Sequence, residues 1–236
     1  MPTAFRRHWT PSTIEWPCRG VAAVPSRSPL ILSSYPMKKL TREDLLSLEQ
    51  YAAQRAVFRN RVIAHKRMRR IVLGDNASLH FEDCLTIQYQ VQEMLRIECI
   101  FEADKIQDEL DTYNPLIPDG SNLKATLMLE YVDPQQRREA LAVLVGVEHQ
   151  IWLQVMGHPV VRAIADEDLP RSNPYKTSAV HFLRFELEPA MVTSLRQGMT
   201  LSMGCNHPAY RVRADVLPTD IRVSLAGDLM DSSSVP

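Results

Sequence analysis

Apolar and polar positions divide the chain into an irregular lead and a long run of regular elements. Thr41 with Asp44 three residues later has the pattern of a capping box, and Leu45, Leu48 and Ala52 continue one apolar face, predicting a helix to about Arg55. A second helical stretch runs from Val57 to about Lys66. Arg70 to Leu73 and the alternating Ala77 to Glu82 flank Gly74, Asp75 and Asn76, which reads as a hairpin. From Asp83 to Phe101 the helical period is the strongest in the sequence, with Cys84, Ile87, Val91, Met94, Leu95 and Glu98 on one face at about 100° per residue. An acidic helix to Tyr113, a turn-rich loop from Asn114 to Asn122 and a strand from Leu123 to Tyr131 follow.

Asp133 and Pro134 combine an N-cap with proline at the first helical position, opening a helix to about Val145. His149 to Met156 and Val160 to Ala165 predict strands joined through Gly157, His158 and Pro159. Asp166 to Thr177 reads as a surface loop, Ser178 to Leu187 as a strand, Pro189 to Gly198 as a short helix, Met199 to Cys205 as a strand and Asp215 to Leu225 as a last helix. Helices interspersed with hairpin-connected strands give α+β: a mixed or antiparallel sheet with several packed helices in a single domain.

The expected boundaries are an extension over 1–36, the domain over 37–226 and a disordered serine-rich tail over 227–236. The first 36 residues hold six of the 16 prolines and two of the three tryptophans, without an apolar period that defines a helix or strand. A targeting peptide, a disordered arm and translated sequence upstream of the true start are the three readings. Frequent prolines break the amphipathic helix of a transit peptide and no signal-peptide apolar core is present, which favours the last reading.

Composition narrows the function classes. At 236 residues, 45% hydrophobic and 23% charged, the chain has enough apolar material for one sizeable core. The net charge is -1, and Arg6, Arg7, Arg19 and Arg27 against Glu15 put three positive charges in the lead, leaving the remainder at about -4. That balance argues against nucleic acid as a partner. Cys18, Cys84, Cys99 and Cys205 form no CxxC pair, so zinc-ribbon and iron–sulfur motifs are missing and reduced thiols are expected. No stretch reaches the roughly 18 apolar residues of a membrane helix, so the expectation is a cytoplasmic protein without membrane insertion.

Two constellations could carry chemistry. On the helix from Asp83, Gln88, Gln92 and Arg96 step along a flank at i, i+4 and i+8, and Glu98 lies on the apolar face. Glu98 is either an acid/base or ligand group, or a helix-end residue that pairs or reaches water. His149, His181 and His207 each alternate in strand phase with apolar neighbours, so they could converge on a metal, or each be a core histidine satisfied by backbone. Arg184 pairs with Glu186 or binds an anion. Asn114, Asp119 and Asn122 line a pocket or shape a turn. No cofactor motif is evident, and a bound metal has no motif of its own behind it.

Met37 to Leu46, Phe81 to Glu98, Tyr113 to Gly120, Asn122 to Met128 and Lys176 to Leu187 together resemble a bacterial domain-of-unknown-function family, number 3501, over roughly Met37 to Leu225. The resemblance implies a redox or oxidative-stress setting, because members tend to be encoded near rubrerythrin-like proteins and iron–sulfur oxidoreductases. It implies an accessory or binding protein acting with such a partner. The alternative is an enzyme or a small-ligand or metal-binding protein with a pocket between the helix 83–101 and the strand 178–187. Gln88, Gln92, Glu93, Arg96, Glu98, Asn114, Asp119, His181 and Arg184 are its candidate lining.

Overall fold

The computed structural model describes residues 38–230; the readings for 1–36 and for the last six residues lie outside them. Six helices and nine strands alternate: α1 (Leu48–Arg67), β1 (Arg70–Leu73), β2 (Ala77–Phe81), α2 (Cys84–Ile97), α3 (Ala103–Tyr113), β3 (Asn122–Leu129), α4 (Pro134–Val143), β4 (Ile151–Val155), β5 (Val161–Arg162), β6 (Ile164–Ala165), β7 (Val180–Glu186), α5 (Pro189–Arg196), β8 (Leu201–His207), β9 (Tyr210–Ala214) and α6 (Thr219–Ala226). The architecture is α+β. One sheet runs β1-β2-β3-β7-β6 and the other β5-β4-β8-β9, and every pairing is antiparallel.

Several boundaries move for local reasons. The Thr41–Asp44 capping pattern forms, with the Thr41 hydroxyl 2.8 Å from the Asp44 carboxylate, yet it closes only a 3-10 turn, Arg42–Asp44. The long helix starts at Ser47, whose hydroxyl accepts from the Gln50 backbone while Gln50 reaches back to the Ser47 N–H, a second capping box. The two helical stretches expected on either side of residue 56 are therefore one helix of 20 residues. Tyr210–Ala214, whose apolar and polar residues alternate, forms the additional strand β9, and the last helix starts at Thr219, after Pro218, instead of at Asp215. The fold also includes residues past 226: Leu229 is fully buried and Asp228 pairs with Arg69.

The inward faces of the two sheets share one core. Leu79, Phe81, Leu127 and Phe185 meet Leu153, Val155 and Met203, with Leu195 and Leu225 from α5 and α6. A second cluster joins Leu40, Val91, Leu95, Leu110 and Tyr113, binding α2 and α3 to the incoming chain. Among the described residues no helix is long and apolar enough to cross a membrane.

Arg69, 2% exposed, ties these parts together. Its guanidinium donates to the Phe81 carbonyl at 3.1 Å, the Glu82 carbonyl at 3.1 Å and the Ser224 hydroxyl at 3.2 Å, and pairs with Asp228 and with Asp83, the N-cap of α2. Burial raises the Asp83 carboxyl, but Arg69 and His65 outweigh it and hold the group at about 2. Asp228 stays up at about 6 because burial exceeds the help from Arg69.

Gly204 on β8 marks a close approach, not a turn. A β-carbon there would lie 2.5 Å from Trp152 Cζ2 and 2.5 Å from the Val212 carbonyl oxygen, so the indole occupies the space a side chain would take. Gly204→Ala is expected to destabilise the protein by about 1–3 kcal/mol through overpacking, read as a lower midpoint in urea with an unchanged slope.

Candidate metal centre

The turn into β4 sets the first ligand. Gly146 adopts φ 84, a left-handed conformation that glycine takes without a side-chain penalty, and starts the 3-10 turn Val147–Gln150. The turn buries Glu148 at 1% exposure and leaves the His149 ring on the outside, its side chain 60% exposed. On β7, the alternation that puts Leu183 and Phe185 in the core also puts His181 there, with no exposed surface. Asp166 follows β6 with φ 55, a left-handed conformation rare for a residue with a side chain, though Asp tolerates it better than most. The loop behind it is anchored: Asp166 accepts from the Arg171 backbone at 3.1 Å, and the Arg171 guanidinium forks onto Asp168 at 2.5 and 2.6 Å and lies 4.5 Å over the Phe182 ring.

These elements gather around the His181 ring. Asp166 Oδ1 is 3.3 Å from His181 Nδ1, Glu148 Oε2 is 3.9 Å from His181 Nε2, and one ligand atom from each residue lies within 4.8 Å of the others. Ser172 donates to Glu148 Oε1 at 2.6 Å, and Thr177 Oγ1 lies 3.4 Å from Glu148 Oε2 and 2.8 Å from His181 Nε2.

The hydrogen bonds constrain where the protons sit. His181 Nε2 is also 3.1 Å from the Ser178 carbonyl, which can only accept; a proton on Nε2 satisfies that carbonyl, whereas a proton on Nδ1 donates to Asp166 and leaves Nε2 to accept from the Thr177 hydroxyl. With the proton on Nε2 the lone pair of Nδ1 faces a carboxylate oxygen at 3.3 Å, and two acceptors at that separation need a cation between them. That cation is either a proton, making a rather long charged hydrogen bond, or a metal ion, since ligand bonds of about 2.0–2.2 Å place neighbouring ligand atoms roughly 3 Å apart. Glu148 lies towards the other ring nitrogen, its Oε2 3.9 Å from Nε2; it is buried, and the close donors at its oxygens are hydroxyls. Buried charges are normally paired or coordinate a metal. Asp166, His181 and Thr177 superficially have the order of a nucleophile triad. Thr177 is 2% exposed, however, so its hydroxyl is closed to a substrate.

The other expected pocket residues go elsewhere. Gln88 donates to the Asp44 carbonyl at 2.5 Å, and Gln92 clamps Leu46 through its N–H at 2.7 Å and its carbonyl at 3.2 Å. Glu93 accepts from Tyr51 at 2.6 Å, from Arg55 at 2.8 and 2.9 Å and from Arg96 at 3.1 Å. Asn114 clamps both backbone groups of Leu40, and Asp119 holds Ser121 and Asn122. Glu98 caps the end of α2 and is exposed, as a helix-end residue would be. Arg184 forks onto Glu167 and pairs with Glu186. The expected pocket between 83–101 and 178–187 is thus two separate sets: α2 spends its polar side chains fastening residues 40–55, and only His181 enters the centre.

The three histidines also separate. His207 has both nitrogens engaged by backbone, Nε2 with the Val145 carbonyl at 3.2 Å and Nδ1 accepting from the Ala209 N–H at 3.2 Å, so it is a core histidine. His149 lies in the turn before β4, outside the strand phase expected for it, with Nε2 3.8 Å from Glu148 Oε1. Glu148, Asp166, Ser172 and Thr177 were not candidates from sequence. A lone acid in the apolar run from Leu144 to Val155 was the available signal for Glu148; Asp166 resembled any loop carboxylate.

The α2 network yields a pH prediction. Burial raises Glu93, but Arg55, Arg96 and the Tyr51 hydroxyl outweigh it and hold the carboxyl at about 2, below its ordinary 4.5. Its contribution to stability is complete above about pH 4.5 and is lost as pH falls through about 2. Wild type is expected to be more stable than Glu93→Gln at pH 7, with the gap narrowing by pH 3, as read from urea midpoints.

The family model described as "Protein of unknown function (DUF3501)" matches residues 39–229. A solved structure from Burkholderia pseudomallei, described as a novel protein of unknown function, is 55% identical, with a TM-score of 0.79, and the match covers 82% of this chain and all of the other. Among curated proteins none matches.

Proposed function

The chain belongs to this family of proteins of unknown function, and from that premise we propose that it binds one first-row divalent metal ion through Glu148, Asp166 and His181. The observation that carries the reading is the buried grouping of Glu148, Asp166 and His181, with Asp166 Oδ1 3.3 Å from His181 Nδ1; the proton is taken to sit on Nε2, facing the Ser178 carbonyl. Two carboxylates and one imidazole suit manganese, ferrous iron or zinc better than a thiophilic ion. Ser172 and Thr177 orient Glu148, and the Ser178 carbonyl fixes the histidine tautomer, the supporting role that partners of metal-ligating side chains usually fill. In this reading the protein is a metal-binding accessory that works beside a separate iron–sulfur oxidoreductase or rubrerythrin-like partner, the setting that the family resemblance supports.

Anaerobically purified full-length chain, stripped with chelator and dialysed against Mn2+, Fe2+ or Zn2+ in turn, is expected to retain close to one equivalent of at least one ion. Retention of none of the three would overturn the reading. Affinity purification from the native host under reducing conditions tests the partner: recovery of no redox protein counts against the accessory role and leaves the metal site standing.

A further inference from the structure

The outward face of the four-stranded sheet carries a second polar site. Its register aligns Arg162, Trp152, Gly204 and Arg213 in one row across β5, β4, β8 and β9, and the next row along places Asn206 opposite Arg211. Because Gly204 leaves the space, the Trp152 indole lies against β8 and is only 5% exposed. Its N–H donates to Asn206 at 3.1 Å, and the Arg213 guanidinium lies 5.5 Å from the ring centroid. The indole is therefore a rigid floor, and the groups presented to an incoming molecule are the surrounding guanidinium ends.

A groove of about 360 Å³ lies here, lined by Trp152, Gln154, Val160, Asn206, Arg211 and Arg213 among others. That volume is within the usual range for small-molecule sites and below what a docked domain would fill. Its charge is one-sided. Arg213 pairs with the exposed Asp215, Arg162 reaches only the neutral Gln150, and Arg211 has no hydrogen-bond or ion-pair partner among the described residues. Three arginines against one acid on this face contrast with a chain whose net charge is -1. Arg211 and Arg213 are two apart on one strand, so both project from the same face and can grip one ligand with two guanidinium forks.

We propose that this groove binds a small organic dianion, a phosphate ester or a dicarboxylate, between Arg211 and Arg213 over Trp152, with Asn206 and Gln154 available to its neutral polar groups. The site stands apart from the metal reading, since none of its residues is a proposed ligand.

Trp152 reports on it directly. In full-length chain carrying Trp9→Phe and Trp16→Phe it is the sole tryptophan, and titration at low salt with inorganic phosphate, glycerol phosphate and succinate is expected to change its emission saturably for at least one probe. Arg211→Gln, an exposed change that touches neither the ring nor the core, is expected to weaken that binding about tenfold or more, the worth of one charge-assisted hydrogen bond, with an unchanged melting temperature. No saturable change up to about 10 mM, an equal response in Arg211→Gln, or a response to single-stranded oligonucleotide but to none of the three small anions would overturn the proposal. Stripping the protein of metal is expected to leave the response intact, which separates this test from that of the metal centre.

Discussion

Arg69→Met is expected to cost about 3–5 kcal/mol of stability, the penalty for removing one partner of a buried charge network and stranding the others. For a domain of this size that is on the order of 10 °C in melting temperature. Arg69 serves Asp83 and Asp228 electrostatically and three groups from distant parts of the chain, the Phe81 and Glu82 carbonyls and the Ser224 hydroxyl, through hydrogen bonds. Methionine fills a similar length of space but leaves two carboxylates within the interior. Asp228, already held at about 6 by burial, would then bind a proton at neutral pH. Stability of the variant should accordingly recover in part as pH falls towards 5, and Arg69→Met in an Asp228→Asn background should cost less than in wild type. Urea denaturation across a double-mutant cycle measures this. A loss under 1 kcal/mol for Arg69→Met would show that the residue is not the hub described.

The second large effect concerns Glu148. Glu148→Gln keeps the shape and an acceptor for Ser172 while removing a buried charge, and it acts oppositely on the two forms of the protein. Without metal, the variant is expected to be as stable as wild type or slightly more so, because the solvation a buried carboxylate has lost outweighs its attraction to the His181 ring 3.9 Å away. With metal, the order reverses. Wild type gains about 2.7 kcal/mol at a free ion concentration 100 times its dissociation constant, and the variant gains little. His181→Ala should abolish that gain as well. Thermal melts with and without Mn2+ or Zn2+ read both signs. If Glu148→Gln were equally destabilising in chelator and in metal, Glu148 would be a hydrogen-bond acceptor for the loop and nothing more.

How far the sequence led can be judged element by element. The α2 period, the β1–β2 hairpin, the Asp133–Pro134 start of α4 and the alternation of β7 were all readable, because each depends on local spacing against a single core face. The α1 start was misplaced because two capping boxes stand six residues apart, and only packing decides which one continues as a long helix. Placing His181 inside was correct, since strand phase determines it. Its partners were not readable: Glu148 and Asp166 stand 33 and 15 residues before it, as their numbers show, and meet it only because the turn at Gly146 and the left-handed Asp166 aim two unrelated connections at the same strand. The α2 residues misled for the converse reason. Gln88, Gln92, Glu93 and Arg96 lie together on a helix, as a site would require, but the same spacing also suits fastening an adjacent segment, and the burial and bonding of Glu93 show that use.

The central claim is that Glu148, Asp166 and His181 are ligands of one ion, and anomalous diffraction addresses it without reference to any activity. Crystals grown with Mn2+ and measured on the low-energy side of the zinc edge are expected to show one strong anomalous peak, about 2.0–2.3 Å from an oxygen of Glu148, an oxygen of Asp166 and a ring nitrogen of His181. No peak at that point with Mn2+, nor with Fe2+ or Zn2+ measured above their own edges, while the protein retains the fold and the 3.3 Å approach of Asp166 to His181, would show that a proton fills the gap and would contradict the account.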